Sequence, residues 1–344
     1  AAETLAIERA KRLFGAEYAN VQPYSGSQAN MAAFMALLEP GDAVLGMDPA
    51  QGGHSTHGGR VNLSGRLYRG VHYGVDPETG LIDYAAVAAL AERHRPKLIV
   101  AGFSVYSRVV DWQRFRDIAD AVGARLLADM AHVSGLVAAG LYPSPVAIAD
   151  VTTTTTHKTL RGPRGGLILA RGDAELMRRL DAAVYPGTQG GPLMHVIAGK
   201  AAALLEALQP DFGAYQRAVL ANARRLAEGL ANRGYPIVSG GTDNHMMLVA
   251  LPERFTSADA AEGALDRAHI AVNGMPLPAA AHSARGQGLR LGTPAVTTRG
   301  FGLDEIDALA AWVADVIDEP ASETVSGRVR ERVRELCGRF PVYA

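Results

Sequence analysis

One cysteine, Cys337, stands in 344 residues. That excludes an intramolecular disulfide framework or a cysteine-based zinc cluster and fits a reducing compartment, the cytosol by default. Net charge is equally scarce, since 34 Lys and Arg against 35 Asp and Glu leave −1, and no basic balance marks nucleic acid as a partner. No apolar run approaches the ~18 to 20 residues that span a bilayer. The most apolar stretches, Lys97–Gly102 and Gly166–Ala170, are strand-sized, so a soluble protein with no membrane partner is expected. The chain opens Ala1-Ala2-Glu3 with no initiator methionine and no basic or apolar leader. This reads as a start inside a longer parent chain, without a signal peptide. Apolar residues are plentiful, at 48% against 20% charged, enough for a large core over roughly two domains of ~150 residues.

Apolar spacing predicts helices over Leu5–Phe14, Gln28–Leu38 and Trp112–Val122. Ala43–Met47, Lys97–Gly102, Arg125–Asp129, Asp150–Thr156 and Gly166–Ala170 read as strands with few internal polar residues, which suits an α/β sheet covered on both faces. Past Pro192 the pattern predicts helices Met194–Leu208 and Tyr215–Asn232, broken at Pro210. Strands Met246–Leu251, Ile270–Asn273 and Gly288–Leu291 follow, with helices Ala258–Ala268, Asp304–Ile317 and Val325–Cys337. The expected division is a large domain over 1–209 and a small C-terminal α+β domain over 210–344.

The most informative segment is Thr152–Gly166, where a β-branched run feeds His157 and Lys158 into a Gly/Pro-rich turn. A strand ending in one lysine sets an amine at a sheet edge, where it is either a solvated surface group or a Schiff-base partner for a carbonyl cofactor. Asp129 closes another strand, where α/β proteins place ligands, and it could cap a helix or keep a pyridinium nitrogen protonated. His132 follows in Asp129-Met130-Ala131-His132 and gains interest from that company alone. Ser25-Gly26-Ser27 ahead of a helix offers hydroxyls and free amides at the positive end of a helix dipole, a phosphate cradle or a plain N-cap. Neither a P-loop nor a Gly-x-Gly-x-x-Gly turn is present, which counts against nucleotide cofactors. Gly52-Gly53-His54 and Gly187–Pro192 are flexible loops, the first with an imidazole that could lie against an aromatic cofactor. Arg290, alone in an apolar strand, requires an anionic partner. A phosphate seat, an amine, an acid for a ring nitrogen, a stacking ring and a carboxylate clamp together suit pyridoxal 5'-phosphate acting on an amino acid.

The segments Asn20–Asn30, Asp129–His132, His157–Gly166, Gly190-Gly191-Pro192, Gly240–His245 and Leu291–Ala295 resemble the serine hydroxymethyltransferase family, over essentially the whole chain. The resemblance implies the fold type I architecture of pyridoxal-phosphate enzymes, a large mixed-sheet domain with a small α+β domain, working as a homodimer with shared active sites. It implies that Lys158 carries the cofactor, Asp129 meets the pyridinium nitrogen and His54 stacks on the ring. Ser25, Gly26 and Ser27 would hold the phosphate, with Gly190 and Gly191 from the other subunit. Ser104 and His132 would stand near the phenolic oxygen and His157 beside the lysine; Arg290 would clamp the substrate carboxylate, with Arg164 in support. The family also carries residues ahead of Ala1, among them a glutamate and tyrosines of the site.

Departures fall on the folate surface. Where the family has Leu-Ala-His-Gly-Gly-His-Leu, this chain reads Pro49-Ala50-Gln51-Gly52-Gly53-His54-Ser55; its Asn-Lys-Asn tract reads Asn273-Gly274-Met275, and Pro276–Gln287 lacks the usual pattern. A thioether cannot imitate an amide that reads a pterin. Two readings therefore stay open: serine and glycine interconversion with tetrahydrofolate as co-substrate, or a folate-independent threonine transaldolase type that adds a glycine carbanion to an aldehyde. A non-catalytic binding subunit is opposed by the presence of Lys158 together with Asp129.

Overall fold

The computed structural model describes residues 1–278 and 286–342. The chain divides into two compact units: Ala1–Gly74, Ile82–Ser104 and Val109–Gln216 form the first, and Val75–Leu81, Val105–Arg108 and Arg217–Ala344 the second.

The first unit is built on seven strands: β1 Tyr18–Asn20, β2 Ala43–Met47, β3 Arg69–Tyr73, β4 Leu98–Gly102, β5 Arg125–Asp129, β6 Val151–Thr155 and β7 Gly166–Ala170. They lie in the order β1-β7-β6-β5-β4-β2-β3. The run from β6 to β3 is parallel, and β7 alone runs the other way, antiparallel to both β6 and β1. Side chains alternate faces along a strand. Val44, Leu98, Val100, Leu127, Val151 and Ile168 pack with Ala29, Ala32, Ala33, Phe34 and Ala36 of the helix Gly26–Leu37, whose alanines let it lie close to the sheet. Their neighbours Leu45, Ile99 and Leu126 are fully buried on the other face. Both faces of the sheet are therefore covered, as expected of an α/β protein with near-continuous apolar strands.

The second unit holds an antiparallel sheet in the order β8-β10-β9: β8 Met246–Ala250, β9 Asn273–Pro276 and β10 Gln287–Gly292. Helices Asp259–Arg267, Leu303–Asp318 and Glu323–Arg339 pack with it around Leu226, Leu265, Leu289, Ile306 and Val313.

The strands expected at Ala43–Met47, Arg125–Asp129 and Gly166–Ala170 and the helix Trp112–Val122 occur at those residues. Two expectations are corrected. Pro210 does not only end one helix; it opens the next, Pro210–Asn232, because a first-turn residue needs no N–H donor. The strand expected over Ile270–Asn273 begins instead at Asn273. His269 takes a left-handed φ of 62° and Ile270 N–H donates to Leu265, so these residues close the preceding helix before pairing starts opposite Arg290. Strand β3 and the helices Tyr84–His94 and Ala174–Ala182 have no counterpart in the sequence pattern read above. Residues 279–285, within the unusual Pro276–Gln287 stretch, lie outside the described residues.

Candidate active site

Parallel strands share one carboxyl edge, and ligands of α/β sheets bind beyond it. Here β2, β4, β5 and β6 end at that edge, and β1 ends there too, being antiparallel to β7 as β6 is. Those ends deliver His54, Ser104, Asp129, Lys158 and the Ser25–Ser27 turn respectively. The sheet thus collects these residues along one rim, although they are spread over more than a hundred positions.

Asp129 is the centre of a buried hydrogen-bonded cluster. It is 7% exposed, beside Gly102 in the register, where a Cβ would sit 2.5 Å from the Asp129 carbonyl oxygen. Its Oδ1 accepts from the Ala131 amide at 3.0 Å; its Oδ2 accepts from Asn30 Nδ2 at 2.8 Å and pairs with His57 Nε2 at 3.0 Å. Asn30 Nδ2 also donates to Thr56 Oγ1 at 2.9 Å, its Oδ1 accepts from Thr153 Oγ1 at 2.6 Å, and Thr56 Oγ1 is 2.7 Å from His54 Nδ1. Burial pushes the carboxyl pKa up, but the hydrogen bond and pull of His57, the Asn30 amide and the charge of Lys158 outweigh it. The group is held ionised, well below the usual carboxylate range.

Lys158 lies three residues beyond β6 in a loop pinned at several points. Thr159 Oγ1 donates to the His132 carbonyl at 2.9 Å and accepts from the Gly135 amide at 2.9 Å, while Gln216 Nε2 donates to the Thr159 carbonyl at 2.7 Å. Arg161 adopts a left-handed φ of 59° and stacks its guanidinium 4.2 Å from the Tyr215 ring centre. The lysine charge reaches Asp129, His54 and His157. His157 Nε2 stands 3.0 Å from Arg164 Nη1; burial first, then the charges of Arg164 and Lys158, lower its pKa. His54 is lowered likewise, by burial and then by His57, so the imidazole is neutral at pH 7.

The Ser25–Ser27 turn caps the helix Gly26–Leu37 through Ser25 Oγ, which accepts from the Gln28 amide at 3.2 Å. Gly26 is held against β6, where a Cβ would sit 2.6 Å from Thr155 Cγ2. Helical first-turn amides lack intrahelical acceptors. With two hydroxyls beside them that can also donate, they form a seat suited to a phosphate.

His132 packs its ring against Phe103, with centroids 6.1 Å apart at 24°, and Ser104 N–H donates to the Gly52 carbonyl at 2.8 Å. Gly190 and Gly191 are exposed, and a Cβ on either would meet nothing within 4 Å among the described residues. The Gly191 carbonyl accepts from the Tyr24 hydroxyl at 2.5 Å. Arg290 belongs to the second unit, half-buried in β10; burial lowers its pKa, and Nη2 donates to Asn273 Oδ1 at 2.7 Å. Of the departing positions, Pro49 opens a short 3-10 turn capped by Asp48, and the Ser55 backbone carbonyl accepts from Ser64 Oγ at 3.3 Å. Met275 packs against the apolar cluster of Val105, Val238, Leu248 and Leu277.

These residues fit pyridoxal phosphate: a seat of amides and hydroxyls for its dianion, a buried ionised carboxylate for a protonated ring nitrogen, a neutral imidazole, and an amine whose charge bears on the carboxylate and the imidazole. The Asn30, Thr56, His57 and Thr153 network was not visible in the motifs. His57, three residues after His54 and followed by Gly58-Gly59, and Asn30, the lone amide on an alanine-rich helix face, were the signals available.

The sequence profile described as Serine hydroxymethyltransferase matches residues 1–313. Proteins named serine hydroxymethyltransferase are similar throughout: that of Methylococcus capsulatus is 65% identical over 343 residues, 99% of this chain and 82% of that protein. That of Alkalilimnicola ehrlichii is 63% identical over 343 residues, with the same coverage, and that of Legionella pneumophila 61% over 344 residues, 100% of this chain and 82% of its own length. Profile, relatives and an edge built around a buried Asp and a strand-end Lys agree, and the chain belongs to the serine hydroxymethyltransferase family, whose members are pyridoxal-phosphate-dependent transferases of fold type I.

Proposed function

We propose that the protein interconverts serine and glycine, transferring the one-carbon unit to tetrahydrofolate. The observation that carries this reading is Asp129, buried yet ionised and subject to the Lys158 charge at the carboxyl edge of the sheet. Pyridoxal phosphate, when bound, supplies an electron-poor ring that accepts the electron pair of a bond broken at the substrate Cα. The chain's residues do the rest. Lys158 would hold the cofactor through Nζ, and the Gly26 and Ser27 amides with the Ser25 and Ser27 hydroxyls would bind its phosphate. Asp129, whose own carboxyl resists protonation, would keep a proton on the ring nitrogen. His54, neutral at pH 7, would cover the ring without adding charge, and His132 and Ser104 would face the phenolic oxygen. Arg290, held through Asn273, would take the substrate carboxylate and orient the substrate. His157 and Arg164 would support the lysine loop.

We place this activity in a cytoplasmic homodimer in which Gly190 and Gly191 serve the neighbouring subunit's phosphate seat, with 1–209 as the cofactor domain and 210–344 as the small domain. Their exposure and open surroundings support that role. Among the described residues no helix is long and apolar enough to cross a membrane. Incubating the cofactor-loaded protein with serine, with and without tetrahydrofolate, tests the reading. Folate-dependent loss of serine is expected; threonine cleavage indifferent to folate, with serine inert, would replace it by the aldehyde-acceptor reaction.

A further inference from the structure

Lys200 lies on the buried face of the helix Met194–Ala207, in line with Ile197, Ala201 and Leu204, and is 1% exposed. Its three ammonium hydrogens match three backbone acceptors: the carbonyls of Val21 at 2.6 Å, Gly166 at 2.8 Å and Pro23 at 3.1 Å. No carboxylate pairs with it among the described residues, and burial alone lowers its pKa, to about 8. An unpaired buried charge costs several kcal/mol, so it persists only where something specific offsets it.

The acceptors define what it organises. Val21 and Pro23 lead directly into Ser25-Gly26-Ser27, with Pro23 within about 7 Å of Ser25 by chain reach. Gly166 closes the loop that carries Lys158. The two segments are pressed together: Gly166 N–H donates to the Pro23 carbonyl at 2.9 Å, and a Cβ on Gly166 would sit 2.3 Å from the Ser25 carbonyl oxygen. Gly165 is close enough to Lys200 that a Cβ there would lie 2.4 Å from Cε. The ammonium therefore ties the approach to the phosphate seat to the exit of the lysine loop, from behind the seat.

We infer that Lys200 is a positioning residue for the cofactor phosphate: it fixes the backbone of the Ser25–Ser27 seat and supplies a buried positive charge whose counter-ion is the bound phosphate. This rests on the reading of Ser25–Ser27 as the phosphate site. The residue does not touch the reacting atoms.

The test compares pyridoxal 5'-phosphate with pyridoxal, which lacks the phosphate, in equilibrium titrations of the resolved apoprotein and of Lys200→Met. Lys200→Met is expected to weaken pyridoxal phosphate binding about tenfold or more, the scale of a charge-assisted contact, and pyridoxal binding by less than about twofold. At saturating cofactor the serine KM stays near that of the parent. Gly165→Ala, which keeps the lysine but displaces its stem, is the second variant and is expected to shift the same preference; it stands in if Lys200→Met fails to fold. Equal weakening of both ligands, or none, overturns the inference and leaves Lys200 a packing residue. An unmodified protein that fails to prefer pyridoxal phosphate over pyridoxal would instead refute the phosphate seat itself.

Discussion

Replacing Asn30 by alanine strikes the point where the acid of the site is secured. Asn30 is 2% exposed, and its amide makes three hydrogen bonds, to Asp129, Thr56 and Thr153. Loss of the bond to the Asp129 carboxylate costs about 1.5 to 3 kcal/mol, being charge-assisted. The Thr153 hydroxyl, buried and deprived of its acceptor, adds about 1 kcal/mol or more. Alanine is too small to restore the packing, so the sum is near 3 kcal/mol, a shift in the urea midpoint of about 1 M at a slope of about 3 kcal/mol/M. Thr153→Val removes only the outer donor and should cost about 1 kcal/mol. Urea unfolding of the apoprotein at pH 7, followed by tryptophan fluorescence and circular dichroism together, reads both variants. If Asn30→Ala unfolds within about 0.2 M of the parent, the Asp129 cluster is not the buried, coupled network described above, and the reasoning fails.

Three further outcomes follow from the same geometry. Gly26→Ala drives a methyl into Thr155 Cγ2 and should lose about 1 to 3 kcal/mol while weakening cofactor binding, measured by thermal melting and by titration with pyridoxal phosphate. His54 and His157 have lowered pKa values, so the unfolded chain binds more protons than the folded one as pH falls below about 6.5; their contribution to stability is full above that pH and is lost on acidification, and His54→Phe should flatten the decline in urea midpoint between about pH 6.5 and 5. Asn273→Ala removes the Asn273 acceptor from the Arg290 guanidinium and is expected to raise the KM for serine several-fold, about the worth of one hydrogen bond to a charged group, with kcat changed less; an unchanged KM would count against Arg290 as the carboxylate ligand.

The fold was legible where apolar character and secondary structure coincide. The buried strands β2, β5 and β7 announce themselves as short apolar runs between turn residues, and Gly123 ends the helix Trp112–Val122 in the left-handed conformation such an end calls for. Strand β3, Arg69–Tyr73, is half-exposed at the sheet edge and has no apolar run to mark it. Within the site, Lys158 and Asp129 were readable because each closes a strand, and position there carries meaning. Asn30 and His57 were not, since their role exists only once a helix and a loop meet β5 across 99 and 72 residues of chain. Lys200 was hidden for the opposite reason: a lysine in a helix reads as a solvated charge, and only three converging carbonyls reveal otherwise. Met275 reads as a lost amide in the sequence, whereas in the fold it covers an apolar cluster, a role that favours a thioether.

The most direct measurement is chemical. Loading the protein with pyridoxal phosphate, reducing it with borohydride and mapping the peptides by mass spectrometry should place the pyridoxyl group on Lys158 in stoichiometric yield, and Lys158→Ala should abolish the label together with the visible absorption of the complex. A label on Lys200, Lys97 or the amino terminus, with Lys158 unmodified, would contradict the account at its root.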